Sequence, residues 1–297
     1  MADAHPPICD YEGSKYSSEF WTAERAYEDR AEAIALQQLL PNGGNLLLEL
    51  GAGTGRNTPR YTGFKQIVLL DYSLSQLQQA QKNLGRNQRF LYVAADIYQI
   101  PFVSGLFDAA TMIRTLHHMA DPLAALKQVR STLQSGAIFI LEYANKQNLK
   151  SMLRYLARRQ SWSPFSLENV EYEKLNFDFH PIMVDTWLKE AGFVLREQLA
   201  VSYFRLGLFK RTLPLNLLAR LERWLQPTGN RYRYSPSIFT RSQAIGNTPK
   251  AQADTFFKCP ACQASSLQPH GARVICLECS REYPIRDGIF DFRLTAE

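Results

Sequence analysis

The sequence predicts an α/β fold in which a doubly wound, mostly parallel, seven-stranded sheet is followed by a small cysteine-rich domain. Three observations support this prediction. Short apolar runs alternate with helical patterns, a glycine-rich turn follows the first of those runs, and four of the five cysteines cluster near the end of the chain. With 297 residues, 45% of them hydrophobic, the chain is long enough for about two globular domains.

The first half of the chain alternates between helical and strand patterns. A helix is predicted over residues 18–40, and the apolar runs that follow are typical of parallel strands covered on both faces. These strands are predicted at 45–50, 66–71, 90–96, 107–113 and 137–142. Ser73 and Asp121 are suited to begin the helices between them, because short polar side chains cap helix N-termini.

After residue 145 the alternation becomes irregular. A basic helix is predicted over 146–160, a strand from Phe193, and a last strand over 235–241, with an apolar and basic stretch between the two strands. The predicted domains are a first domain over 1–245, with a basic cap over 146–235, a polar linker over 246–255 and a cysteine-rich domain over 256–297.

Positive charge is concentrated in the middle of the chain. The net charge is +6, and residues 146–245 hold 16 Lys and Arg against 8 Asp and Glu, whereas residues 1–145 hold 12 against 14. This excess favours an anionic partner, which includes nucleic acid, an anionic lipid or an anionic small acceptor. The alternative is a helix face that only contacts solvent.

Sequence patterns also bear on location. No run of about 18 apolar residues occurs, so no membrane span is expected. The opening residues lack the basic and apolar regions of a signal peptide, and the odd number of cysteines favours a reducing compartment. The expected location is the cytoplasm.

The glycine-rich turn predicts a Rossmann-like nucleotide site. Gly51, Gly53 and Gly55 follow the first strand and precede a helix, which places bare backbone where a ligand must approach closely. Asp71 ends the second strand, where a carboxylate can accept hydrogen bonds from ribose hydroxyls, and Asp96 ends the third. The dinucleotide fingerprint needs a glycine where this chain has Arg56, so a nicotinamide oxidoreductase is the lesser alternative.

Several segments over about residues 40–145 resemble, in the right order, the class I S-adenosylmethionine-dependent methyltransferases of the type 11 group. They are L-L-L-E-L-G-A-G-T-G-R-N at 46–57, L-L-D-Y-S at 69–73, A-A-D-I-Y-Q-I-P-F at 94–102, F-D at 107–108 and L-H-H-M-A-D-P at 116–122. The resemblance implies an S-adenosylmethionine-dependent methyltransferase.

The resemblance also implies a role for individual residues. The implied cofactor-binding residues are Glu49, Gly51, Ala52, Gly53 and Gly55 at the methionine end, Asp71 at the ribose, Tyr72, Asp96 and Ile97 at the adenine, and Arg114 at the amino-acid moiety. The N-terminal helix, with Trp21, Arg25 and Tyr27, is predicted to lie over the cofactor as a lid, although an apolar helix face more often only packs.

The sequence does not identify a catalytic residue. A general base is needed only if the nucleophile arrives protonated, and His117, His118 and His180 are the candidates. His117 and His118 follow the fourth strand at the lip of the crevice, whereas His180 is equally suited to cap the helix after it.

The four clustered cysteines predict a structural zinc ribbon. Cys259, Cys262, Cys276 and Cys279 form a C-x2-C-x13-C-x2-C array, which suits four thiolates around one closed tetrahedral zinc ion. The tail also resembles the small zinc-ribbon proteins that activate RNA and protein methyltransferases, through C-P-A-C and R-E-Y-P-I-R-D-G-I-F at 281–290. That resemblance implies a ribbon that stabilises or docks the enzyme.

Three functions remain open from the sequence. The first is a methyltransferase for a small or lipid-like acceptor beneath the basic cap. The second is a methyltransferase for RNA or a translation protein, docked through its ribbon, for which RNA binding should depend steeply on salt. The third is a non-catalytic scaffold that binds the cofactor only for structure.

Overall fold

The structure, a computed structural model, describes residues 5–13 and 25–294. The helices among them are α1 (Ala26–Leu39), α2 (Leu74–Leu84), α3 (Pro122–Thr132), α4 (Leu149–Leu156), α5 (Pro181–Glu190), α6 (Gly207–Thr212) and α7 (Leu215–Leu225). The strands are β1 (Gly44–Leu50), β2 (Phe64–Asp71), β3 (Phe90–Ala94), β4 (Phe107–Met112), β5 (Leu133–Ala144), β6 (Val170–Glu173), β7 (Asn176–Asp178), β8 (Phe193–Val201), β9 (Ser237–Ala244), β10 (Leu267–His270), β11 (Arg273–Cys276), β12 (Glu282–Arg286) and β13 (Ile289–Asp291).

One mixed sheet organises the described chain. Its strand order is β10-β11-β12-β13-β3-β2-β1-β4-β5-β9-β8. The five strands from β3 to β5 in that order run parallel, and β9 lies antiparallel between β5 and β8. The predicted count of seven is not confirmed, because four strands of the C-terminal domain continue the sheet beyond β3 to a total of eleven.

The parallel strands are apolar because both of their faces are covered. Leu48, Val68 and Met112 belong to one buried cluster, and Leu47 and Leu69 belong to the cluster on the other face. The helices that cover them begin as predicted. The Ser73 side chain accepts a hydrogen bond from the N–H of Gln76, and the Asp121 carboxylate accepts one from the N–H of Ala124.

The C-terminal domain is joined to the first domain by a strand pair. β13 runs parallel to β3, with Ile289 opposite Tyr92 and Asp291 opposite Ala94. The pairing extends past the strand, since the N–H of Phe292 donates to the carbonyl of Ala94 over 2.8 Å. The backbone groups that β3 would otherwise expose at the edge of the sheet are therefore satisfied within the same chain.

An aromatic cluster lies beneath this strand pair. Phe257 lies 5.7 Å from Phe102 and 4.8 Å from Phe292 between ring centroids. Phe102 is fully buried and Phe292 is almost so. The sheet and the cysteine-rich segment consequently share one apolar core, and loss of that segment would expose Phe102 to water.

The segment predicted as a linker is hydrogen-bonded to the first domain along its length. The N–H of Ser135 donates to the carbonyl of Thr248 over 3.3 Å, and the N–H of Ala251 donates to Gly105 over 2.9 Å. The N–H of Val103 then donates to the carbonyl of Phe256 over 3.2 Å. These hydrogen bonds hold the chain against the first domain on its way from β9 toward the edge of the sheet formed by β3.

The segments predicted as a cap leave the sheet at its carboxyl edge. Ala144 at the end of β5 and Val201 at the end of β8 both pair with Ser237. The segments that follow β5 and β8 therefore start at the edge where β1 and β2 also end. α4 corresponds to the predicted basic helix, whereas the hairpin of β6 and β7 within the cap was not predicted.

Candidate functional site

A cleft opens at the carboxyl edge of the sheet, above the ends of β1 to β4. It consists of two adjoining cavities that share Gly51, Gly53, Gln76 and Arg114. We call it the carboxyl-edge cleft. Its lining residues are Ile8, Cys9, Tyr11, Glu49, Leu50, Gly51, Ala52, Gly53, Thr54, Arg56, Asn57, Leu70, Asp71, Tyr72, Gln76, Ala95, Ile97, Ile113, Arg114, Thr115, His118 and Met119. Of the ten cofactor-binding residues expected from the sequence, eight are in this set, and Gly55 and Asp96 are not.

The glycine turn presents bare backbone to the cleft. Gly51 and Gly53 have φ values of 64° and 53°, in the left-handed region that favours glycine. A Cβ on Gly53 would meet no described atom within 4 Å, whereas one on Gly51 would lie 2.1 Å from Oγ1 of Thr115. Gly51 is therefore needed for packing against Thr115, and Gly53 leaves room for a ligand.

Asp71 is fixed at the end of β2 by backbone donors. Its Oδ2 accepts a hydrogen bond from the N–H of Gly53 over 2.7 Å, and its Oδ1 accepts one from Ser73 over 2.9 Å. Burial raises the pKa of this carboxyl above its usual value, while the two backbone donors act against that rise. The carboxylate thus ties the glycine turn to the start of α2 and still lines the cleft.

Asp96 is engaged from two sides. Its Oδ1 accepts from the N–H of Tyr98 over 2.8 Å, and its Oδ2 lies 2.7 Å from Nε2 of His5. Asp96 itself is buried beneath the neighbouring residues Ala95 and Ile97, which line the cleft.

Glu49 is the buried carboxyl at the inner end of the cleft. Its side chain accepts hydrogen bonds from the hydroxyl of Thr58 over 2.6 Å and from that of Tyr61 over 3.3 Å. Burial raises the pKa of Glu49 to about 7, against the lowering effect of the two hydroxyls and of Arg56. Glu49 therefore titrates near neutrality and suits a cationic ligand group in its charged form.

Arg114 lies beside Glu49 but is already paired. Its guanidinium contacts the buried Glu32 at 2.6 Å, and its backbone N–H donates to Oε2 of Glu142 over 2.9 Å. Its φ of 55° turns the chain sharply after β4. Arg114 and the neighbouring residues of this turn contribute to the lining of the cleft.

The described N-terminal segment covers the cleft. Ile8, Cys9 and Tyr11 line it, and the Glu12 carboxylate accepts from the N–H groups of Leu74 and Ser75 over 2.8 and 3.1 Å at the start of α2. This cover was not predicted, because residues 5–13 form no helix or strand whose periodicity could be recognised.

The described part of the predicted lid helix lies away from the cleft. Tyr27 is buried against Phe204 and donates a hydrogen bond to Glu222 over 2.5 Å, so it packs α1 against α7. Trp21 lies outside the described residues, and Arg25 immediately precedes α1. Neither Arg25 nor Tyr27 lines the cleft.

The three candidate histidines have three different environments. His118 lines the cleft, with Nε2 3.0 Å from the hydroxyl of Tyr11 and Nδ1 2.9 Å from the carbonyl oxygen of Leu175. His117 contacts the ring of His118, and its buried Nδ1 has no hydrogen-bond partner among the described residues. His180 begins α5 and accepts from the N–H of Ile182 over 3.3 Å.

Arg293 of the C-terminal domain contacts Tyr72 at the edge of the cleft. Arg293 holds Asp291 with two hydrogen bonds of 2.8 Å, and its guanidinium carbon lies 5.7 Å from the ring centroid of Tyr72. The same guanidinium donates to the carbonyl of Tyr72 over 3.4 Å. No sequence pattern pointed to Arg293, because its role depends on the pairing of β13 with β3.

The four predicted zinc ligands are brought together. Their sulfur atoms all lie within 4.8 Å of one another. Cys259 and Cys279 are 3.7 Å apart, and Cys262 and Cys276 are 3.5 Å apart, between Sγ atoms. A zinc–sulfur distance of about 2.3 Å places tetrahedral sulfurs about 3.8 Å apart. The cluster is therefore compatible with a zinc site.

Comparison with known proteins identifies the central segment. Residues 48–141 match the family model described as a methyltransferase domain. An O-methyltransferase of Penicillium expansum, cnsE, is 30% identical over 109 residues, which is 35% of this chain and 40% of that protein. A demethylmenaquinone methyltransferase of Clavibacter sepedonicus is 26% identical over 164 residues, covering 52% of this chain and 67% of that protein. The chain thus spans less than half the length of the Penicillium relative.

A solved structure supports the fold. The match is a chain of the complex between the Haloferax volcanii Trm112 methyltransferase activator and a protein described as a methyltransferase. It has a TM-score of 0.54 and 16% identity, and it covers 78% of this chain and 96% of that chain. Together these matches show that residues 48–141 are similar to a methyltransferase domain and that the chain shares its fold with a chain of this complex.

Proposed function

We propose that this chain is a methyltransferase that binds S-adenosylmethionine in the carboxyl-edge cleft and methylates a small or lipid-like acceptor beneath the cap. The observation that supports it most strongly is the convergence of Glu49, Gly53 and Asp71 in one cleft at the end of parallel strands. Ligands of open α/β sheets bind at this edge.

The residues of the cleft fit the two ends of this cofactor. Asp71 offers a carboxylate to ribose hydroxyls, Gly53 leaves space beside it, and Glu49 offers an anion to the amino group of the methionine end. When bound, S-adenosylmethionine supplies a methyl group already activated on a sulfonium. The protein has to orient the acceptor and exclude water, and orientation alone is worth about 7–11 kcal/mol.

The acceptor would enter between the cap and the N-terminal segment. The carbonyl of Leu175, in the turn between β6 and β7, lies 2.9 Å from Nδ1 of His118, while Tyr11 contacts Nε2 from the other side. Burial lowers the pKa of His117 well below its usual value, and His118, Arg114 and Arg205 lower it further. His117 is therefore a neutral, buried side chain that does not line the carboxyl-edge cleft, and no general base is assigned to the proposed reaction.

The ribbon would act as a built-in support of the cofactor site. Its zinc, held by Cys259, Cys262, Cys276 and Cys279, would be structural, since four thiolates leave no open coordination position. In the solved complex the activator is a protein separate from its methyltransferase. Here β13 pairs with β3 of the same chain, so docking on a translation factor or RNA is the weaker candidate.

Glu49 provides a pH-dependent prediction. Its pKa of about 7 in the free protein means that it is largely protonated below neutrality. A bound ammonium stabilises the carboxylate, so binding releases a proton. We expect affinity for S-adenosylmethionine to be highest between about pH 7 and 8 and to fall below pH 7, approaching about tenfold per pH unit. Isothermal titration calorimetry between about pH 5.5 and 7.5 in two buffers would measure both affinity and proton release.

Glu49→Gln is the matched control for this titration. The amide has the same shape but cannot ionise, so its weaker affinity should not depend on pH in this range. An unchanged pH slope in Glu49→Gln would assign the titration to another carboxyl and contradict the role of Glu49.

Arg293 provides a test of whether the ribbon affects cofactor binding in the cleft. Removal of its guanidinium takes away the cation that lies over the Tyr72 ring. We expect Arg293→Ala to weaken S-adenosylmethionine binding about threefold to tenfold while zinc content is unchanged. Arg286→Ala is the control, because Arg286 contacts the same Asp291 at 3.5 Å but is more exposed. If both variants weakened cofactor binding equally, the cause would be a general weakening of the ribbon and not the loss of the contact with Tyr72.

The proposed function itself is tested by label transfer. The full-length protein and S-adenosylmethionine with a radiolabelled methyl group would be incubated with host extract separated into RNA, protein and organic-soluble fractions. We expect label in the organic-soluble fraction. Label in RNA or protein alone would support a methyltransferase for RNA or a translation protein. No transfer to any fraction, despite measured cofactor binding, would support a non-catalytic scaffold.

A further inference from the structure

One helix of the cap exposes an apolar stripe. Leu149, Leu153 and Leu156 of α4 are 55%, 57% and 71% exposed. Their spacing places them on a single helical face. Ser151 is the one buried residue of α4, so this helix is attached to the protein by its other side. A stripe of leucines that the fold leaves in water needs a partner to cover it.

The stripe is flanked by cations along α4 and in the residues that follow it. Lys150, Arg154, Arg158 and Arg159 are all exposed. No Asp or Glu occurs between residues 146 and 167. A second copy of this strongly positive surface would be repelled by the first. The patch is therefore complementary in charge to an anionic surface.

The apolar surface continues beyond α4. The ring of Phe165 lies 6.2 Å from that of Tyr155 between centroids, and Phe165 and Leu167 are about half exposed. Nucleic acid would satisfy the arginines but gain little from the leucines. An anionic lipid bilayer satisfies both, because leucines enter the acyl boundary while cations contact the headgroups.

We propose that α4 and residues 157–167 form a docking face for anionic membrane surfaces, which we call the cap face. The segment begins directly after β5 at the carboxyl edge, and the hairpin that follows it contacts His118 of the cleft. Docking through the cap face places the cleft near the lipid. No described helix is long and apolar enough to span a membrane.

Vesicle co-sedimentation of the full-length, zinc-loaded protein tests this proposal without any methyl acceptor, so it is readable even if the methyl-transfer proposal fails. The vesicles would be phosphatidylcholine alone, or phosphatidylcholine with about 30% phosphatidylglycerol. We expect binding to the anionic vesicles that is at least about tenfold stronger than to the neutral ones and weakens with salt.

Two pairs of substitutions test the apolar part and the charged part of the cap face separately. Leu153→Ser with Leu156→Ser should lower partition into anionic vesicles about tenfold or more. Lys150→Glu with Arg154→Glu should remove the preference for anionic over neutral vesicles. Ile245→Ser is the control, because Ile245 is 45% exposed but follows β9, at the opposite edge of the sheet. Thermal unfolding and zinc content should be unchanged in each variant.

Three results would overturn the proposal. The first is equal sedimentation of the wild type and the double leucine variant. The second is absence of vesicle binding together with tight, salt-dependent binding of an RNA oligonucleotide, which would make the cap face a nucleic-acid surface. The third is a wild-type dimer that the leucine substitutions convert to monomer without any vesicle binding.

Discussion

Cys276→Ser is expected to lower the melting temperature by about 10 °C or more and to abolish zinc binding. Cys276 is fully buried, and its sulfur lies 3.5 Å from that of Cys262. A serine hydroxyl is a poor zinc ligand at neutral pH. On the proposal that the four sulfurs hold zinc, loss of the metal should release β13 from β3 and hydrate the aromatic cluster around Phe102.

The same variant should weaken binding of S-adenosylmethionine. Phe292 and Arg293 follow β13, so disorder in the ribbon removes the contact with Tyr72. The measurements are zinc content by mass spectrometry, thermal unfolding and calorimetric titration of the cofactor. Chelation of the wild-type protein should reproduce the loss, and added zinc should reverse it.

Cys9→Ser is the matched control for metal content and stability, because Cys9 lies outside the cluster. It should retain its zinc and its melting temperature. If Cys276→Ser also kept both, the four sulfurs would not hold a structural metal, and the stability of the ribbon would have to come from its aromatic core alone.

The parts of the fold that could be predicted depend on local signals. The apolar run before Gly51 and the positions of Asp71 and Asp96 at strand ends depend on short periodicities. The spacing of Cys259 and Cys262 is equally local. These signals predicted the polar edge of the sheet and the group of four cysteines, and the structure brings the members of each group together.

The parts that could not be predicted depend on pairings between distant segments. The contact of His5 with Asp96 and that of Tyr11 with His118 come from a segment without periodic pattern. The pairing of β13 with β3 joins residues that are far apart in the chain, and its register determines where Arg293 lies. Hydrophobic patterning indicates that a strand exists but not which edge it will complete.

Asp71→Ala is the second substitution with a large expected effect. We expect it to raise the dissociation constant for S-adenosylmethionine at least about 100-fold, since two hydrogen bonds to a charged group are each worth about 1.5–3 kcal/mol. The loss has a second cause. Oδ2 of Asp71 holds the N–H of Gly53, so its removal also loosens the turn that leaves room for the ligand.

Asp108→Ala is the control that distinguishes an effect on the cofactor site from an effect on the stability of the sheet. The Asp108 carboxylate, like that of Asp71, accepts from two backbone N–H groups, those of Asn45 and Leu46, but it lies near the start of β1. Both variants should unfold at lower temperature, whereas only Asp71→Ala should lose cofactor binding in calorimetric titration. If both lost it equally, the effect of Asp71 would be on the stability of the sheet, and its proposed contact with the ribose would be refuted. If only Asp71→Ala lost it, the carboxyl edge would hold the cofactor through a carboxylate whose position depends on the glycine turn beside it.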